Sequence, residues 1–100
     1  MRVSVGAGRD YLVGGTGDDT IEGGDGVDTF VFASGTGRDR ILDFRPEDII
    51  EVQGLFGGYD ALLRAATQVG ANVEIAAGGD VLVLENVQRG SLVADDFRFV

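Results

Sequence analysis

One hundred residues set a single domain near the lower size limit for one apolar core. With 12 Asp and 5 Glu against 8 Arg and no Lys, the formal net charge is -9; that disfavours nucleic acid and membrane insertion and suits a cation. His and Cys are absent, which excludes imidazole or thiolate metal sites, Ser-His-Asp triads, cysteine nucleophiles and disulfides.

The opening MRVSVGAGRD has no apolar run ahead of a small-residue cleavage site, so no cleaved N-terminal secretory signal is expected. No stretch approaches the ~20 apolar residues of a membrane helix. From Val5 onward the chain is periodic. The units are VGAGRDYLV at 5–13, GGTGDDTIE at 14–22, GGDGVDTFV at 23–31 and, after Phe32 and Ala33, SGTGRDRIL at 34–42. Glycine holds positions 2 and 4 of each unit: Gly6 and Gly8, Gly15 and Gly17, Gly24 and Gly26, Gly35 and Gly37. Position 6 is Asp10, Asp19, Asp28 or Asp39, and position 8 is Leu12, Ile21, Phe30 or Ile41. The glycine-rich part needs backbone angles that glycine tolerates cheaply, and the rest is a short strand with its apolar residue inward.

One unit then makes one turn and one strand, two units make one coil, and like edges recur every 18 residues. Asp10 is expected against the turn of Asp28, and Asp19 against that of Asp39, with the two extra residues taken up as a bulge at Phe32–Ala33. Each stacked pair of turns offers two carboxylates and glycine carbonyls. That is the donor set for calcium, which takes six to eight oxygens. A phosphate cradle fails, because GAGRDY lacks the third glycine of a dinucleotide motif and no GK[ST] follows. Asp18 and Asp19 do not read as an acid/base pair, since position 5 points outward to water.

Beyond Asp39 the composition changes. Ile41–Phe44 and Ile49–Val52 read as strands around a Pro46 break. GYDALLRAATQVG reads as a short helix, capped at Asp60 and stopped at Gly70. ANVEIAAGGDVLVLENV reads as a hairpin through Gly78-Gly79, in either of two registers, and SLVADDFRFV as a turn and a last strand from Phe97. Residues 1–43 are expected to form repeats and 44–100 a cap over the exposed coil end, in one continuous domain. Asp43 and Asp48 lie where another turn would sit, completing the last calcium shell or starting the turn at Pro46. Glu47, Glu51, Glu74 and Glu85 read as solvated strand faces.

GGTGDDTIEGGDGVDTFVF, GTGRDRILDF with PEDIIEV, the GGDVLVLENV hairpin and the closing DDFRFV together resemble the C-terminal end of RTX, or hemolysin-type, calcium-binding proteins. The resemblance implies an all-β fold, a right-handed parallel β-roll with a C-terminal β-rich cap that contains one short helix. It implies about two to three calcium ions and a module that is unfolded in calcium-poor cytoplasm. Such a module folds after export by the type I secretion machinery, guided by an uncleaved C-terminal signal, here Asp96, Phe97, Phe99 and Val100 around Arg98. An upstream catalytic domain (protease, lipase or epimerase) is then a possible passenger, and the module itself is non-catalytic and extracellular. Val5 and Ser34 depart from glycine at position 1. A second reading is an alginate-like polysaccharide-binding or adhesin module, for which Arg9, Arg38, Arg40 and Arg45 are the basic candidates.

Overall fold

Strand formation follows the nine-residue beat, because each position-8 residue has an apolar face to bury and the turns around it cannot extend into helix. A computed structural model describes residues 2–4, 11–12, 17–24, 26–35, 37–45 and 47–100. Its strands are β1 (Arg2–Ser4), β2 (Tyr11–Leu12), β3 (Thr20–Glu22), β4 (Thr29–Ala33), β5 (Arg38–Ile41), β6 (Ile49–Gln53), β7 (Ala66–Val69), β8 (Asn72–Ala77), β9 (Asp80–Leu84) and β10 (Phe97–Phe99). One helix, α1 (Tyr59–Ala65), and two 3₁₀ turns, Arg89–Ser91 and Ala94–Asp96, complete the described elements.

The first six strands enter the two sheets alternately. One sheet has the order β1-β3-β5-β9-β8-β7 and the other β10-β6-β4-β2. Their parallel part is a β-roll. The register stacks apolar residues into ladders: Ile21 on Ile41 on Leu84 in the first sheet, and Leu12 on Phe30 on Ile50 on Phe97 in the second. These residues meet between the sheets, joined by Phe32, Val52, Val73, Ile75, Leu62 and Leu82. Burial of such side chains stabilises by roughly 1.5–3 kcal/mol each.

Both sheets run on across residue 43. The second sheet gains β6 and β10 in parallel, and β9 lies parallel on β5 before the first sheet turns antiparallel through β8 and β7. The hairpin register pairs Val73 with Leu84 and Ile75 with Leu82, which places all four inward.

Several local expectations are corrected. The strand expected over Ile41–Phe44 lies earlier, as β5 (Arg38–Ile41), and Glu51, expected on a solvated strand face, is only 8% exposed. Phe32 and Ala33 form no bulge; they lengthen β4, which pairs residue for residue with β6 from Thr29↔Ile49 to Ala33↔Gln53. The added strand length puts Phe32, which is fully buried, into the core. The helix ends at Ala65, and Ala66–Val69 is strand β7, with Gly70 turning the β7–β8 hairpin at φ +60. The Arg89 guanidinium ends that helix by donating to the carbonyls of Leu63 (2.8 Å) and Ala66 (2.9 Å). Asp60 is not the N-cap, which is Gly58; it stands in the first turn, where its charge faces the helix dipole favourably.

Candidate metal centre

The turns leading into β3 and β5 stack on one edge of the roll, and those leading into β4 and β6 on the other. Gly17, Gly24, Gly26, Gly35 and Gly37 all take left-handed angles, with φ from +75 to +95. Gly6, Gly8, Arg9, Asp10 and Gly15 lie outside the described residues.

On the first edge the expected partners come together. The Asp19 N–H donates to Asp39 Oδ1 at 3.2 Å, and the Arg38 N–H donates to Asp18 Oδ1 at 3.0 Å. Asp18 is thus exposed, as its position demands, yet it also ties the two turns together. The stack is tight at its glycines: a Cβ on Gly37 would sit 2.6 Å from the Gly17 carbonyl oxygen. Asp19 and Asp39 are 3% and 1% exposed. Oδ2 of Asp39 is sealed from solvent and accepts no hydrogen bond, and Oδ2 of Asp19 is sealed likewise. Burial, reinforced by the neighbouring Asp19 carboxylate, pushes the Asp39 carboxyl up to about 7. A cleft of about 180 Å³ opens beside the pair, lined by Asp18, Asp19, Thr20, Arg38 and Arg40.

The second edge repeats the arrangement. The Asp28 N–H donates to Asp48 Oδ1 at 2.9 Å, the counterpart of the Asp19–Asp39 contact. Asp28 and Asp48 are fully or almost fully buried, and burial also raises the Asp48 carboxyl. A Cβ on Gly23 would meet Asp28 Oδ2 at 2.5 Å, so the carboxylate packs directly on that glycine. Asp43 accepts from the N–H groups of Gly23 (2.9 Å) and Gly24 (2.8 Å), one on each oxygen. Its carboxylate therefore braces the preceding turn.

Asp48 belongs to a fifth, glycine-free unit: it follows Asp39 by nine residues, and the buried Ile50 follows Ile41 by nine. That spacing was present in the sequence, masked by the loss of both glycines. Asp80 was not signalled at all; its carboxylate accepts from Gly35 N–H and Gly37 N–H, both at 3.0 Å. On the next rung of that sheet Leu82 stands opposite Asp39, so the row of buried carboxylates ends there.

A hard cation suits the first-edge pair. It would supply the charge that a sealed, unbonded Asp39 oxygen lacks and would relieve the repulsion from Asp19. Among the described residues no three carboxylates gather at one point. A cation held by Asp19 and Asp39 would draw its further oxygens from backbone, which calcium accepts.

Among the described residues, the candidate arginines Arg38, Arg40 and Arg45 do not form one basic stripe. Arg38 pairs with Glu74 at 3.1 Å and Arg40 with Glu85 at 3.0 Å, both on the outward face of the first sheet. Arg45 lies in the turn before β6, where its N–H donates to Asp48.

Comparison with known proteins identifies the repeat and the fold. Residues 4–41 match the RTX calcium-binding nonapeptide repeat, in four copies. The chain is 35% identical over 70 residues to the endo-1,3-1,4-beta-glycanase EglC of Rhizobium meliloti (strain 1021), a match covering 68% of this chain and 15% of that protein. Its fold is shared with a part of the extracellular lipase LipA from Serratia marcescens: TM-score 0.80 at 20% identity, over 97% of this chain and 20% of that one. The chain thus spans a small fraction of either protein's length. Among the described residues no helix is long and apolar enough to cross a membrane.

Proposed function

Residues 4–41 belong to the family of RTX calcium-binding nonapeptide repeats, and from that premise we propose that calcium folds this module, which serves export and stability of a secreted protein and carries out no catalysis itself. The observation that carries the reading is the stacked pair Asp19 and Asp39, with a sealed Asp39 oxygen that accepts no hydrogen bond. Without metal, these carboxylates oppose the compact state; with it, binding energy becomes folding energy.

The chain's own residues divide the work. Asp19 and Asp39 hold one ion, Asp10 and Asp28 another, and the glycine turns present carbonyls; about two to three ions are accommodated. A site with a dissociation constant near 10⁻⁴ M contributes roughly 1.4 kcal/mol at about 1 mM calcium. Two or three sites give about 3–4 kcal/mol, a large share of a small domain's stability. At submicromolar calcium the contribution vanishes, and the chain stays in an export-competent form.

The C-terminal strand supports this coupling. β10 is hydrogen-bonded alongside β6, and Asp96 and Phe97 are buried. A secretion signal in these residues is therefore legible to the type I machinery only before folding. A catalytic domain upstream is the passenger, and the folded module is extracellular. An anionic glycan such as alginate is a poor ligand, because Glu74 and Glu85 already occupy Arg38 and Arg40 and the net charge is -9.

Far-UV circular dichroism during a calcium titration tests the reading. Strand signal is expected to appear with calcium, and Asp19→Ala is expected to move the midpoint to higher calcium. Strand signal already complete in chelator would overturn the folding switch. An unmoved midpoint in Asp19→Ala would overturn the ligand assignment.

A further inference from the structure

The outward face of the β2–β4–β6–β10 sheet carries a side-chain cluster that plays no part in the turns. Leu12, Phe30, Ile50 and Val52 point into the core, so Tyr11, Val31, Glu51 and Gln53 point the other way. The Tyr11 hydroxyl donates to the Glu51 carboxylate, although β4 lies between the strands that carry them. Two strand spacings amount to about 9.6 Å. A phenol rooted on β2 bridges that gap only by lying along the sheet, across β4. Val31, outward on β4, is only 4% exposed, whereas Tyr11 is 57% exposed. The side chain therefore runs along the sheet over β4 and leaves more than half of the residue open to solvent.

Its position is fixed in advance. Gln53 Nε2 donates to Glu51 at 2.9 Å and an Arg98 guanidinium nitrogen at 3.0 Å, so three donors converge on the carboxylate that anchors the phenol. Holding the ring before a ligand arrives removes part of the ordering cost of binding. Around it stand the exposed side chains of Gln53 and Arg98 and, directly opposite on β4, Thr29.

We propose that this face binds a neutral polysaccharide, with the C–H face of a pyranose ring stacked on Tyr11 and its hydroxyls reaching Thr29, Gln53 and Arg98. A sugar ring has an apolar face and a polar rim, which matches an aromatic surface bordered by hydroxyl, amide and guanidinium groups. Charge selects the neutral class. Glu51 and Arg98 neutralise one another on this face, and a chain of net charge -9 repels polyanions. The outward face runs along four strands, which leaves room for more than one sugar of a polymer. The inference requires the folded roll and stands apart from the assignment of metal ligands.

Native affinity electrophoresis in calcium tests it, with gels containing a soluble mixed-linkage β-glucan, a galactomannan or alginate. Wild type is expected to be retarded by a neutral glycan and not by alginate. Tyr11→Ala is expected to weaken retardation about three- to tenfold, the size of one aromatic contact, while Tyr11→Phe keeps most of it. Gln53→Ala, an exposed rim change, is expected to weaken it severalfold and decides the matter should Tyr11→Ala fail to fold. Circular dichroism of every variant in calcium separates lost binding from lost folding. No retardation by either neutral glycan, equal retardation of wild type and folded Tyr11→Ala, or retardation by alginate alone would overturn the proposal.

Discussion

Exchanging Asp39 for asparagine separates a metal ligand from a structural acceptor, because only a ligand makes the effect change sign with calcium. The amide would keep an oxygen for the Asp19 N–H, now 3.2 Å from Oδ1, while removing the charge. In chelator the substitution is expected to stabilise the folded state. It abolishes a carboxylate that burial and Asp19 have pushed up to about 7, and with it the like-charge conflict. In calcium the sign reverses. A site worth roughly 1.4 kcal/mol at about 1 mM calcium is lost or weakened, which lowers the melting temperature by about 5–10 °C for a domain of this size. Thermal melts of wild type and Asp39→Asn, each in chelator and in calcium at about 1 mM, read both effects in one experiment. The same shift in chelator and in calcium, whatever its size, would show that Asp39 holds no calcium, and the reasoning from its sealed oxygen would fail.

The stacking of the turns yields a paired prediction. Gly35 and Gly37 both have left-handed φ, but a Cβ on Gly35 meets open space while one on Gly37 meets the Gly17 carbonyl at 2.6 Å. Gly35→Ala is expected to cost about 1–2 kcal/mol of backbone strain, and Gly37→Ala clearly more, as urea unfolding in calcium would measure; equal costs would deny close stacking. A pH dependence follows from Asp39 and Asp48, whose carboxyls are both raised by burial. A raised folded-state value means that the folded form holds protons the unfolded form has released. Metal-free stability is therefore expected to rise as pH falls from about 7 toward 4 and to be lost as pH rises through 7. Melts in chelator across that range check it, and stability increasing with pH there would contradict it.

The sequence by itself determined the repeat and much of its consequence. The nine-residue beat sets which residues turn, which face inward, and which aspartates stack, because all of that is dictated within a unit or between units two apart. Asp19 on Asp39 was legible in this way, and so were the ladders of Leu12 on Phe30 and of Ile21 on Ile41. Tertiary structure decided what no local rule encodes. Phe32 and Ala33 lengthen β4 because five residues of β6 are there to pair with them. Ala66–Val69 leaves the helix because β8 offers it a strand edge. Asp80 reaches the glycine turn at residues 35 and 37 only because β9 pairs with β5 across some forty residues of chain. The placement of Tyr11 across β4 depends on Glu51, two strands and 40 residues away. Period fixes near neighbours, whereas partners brought together by long loops are chosen by the energy of the whole sheet.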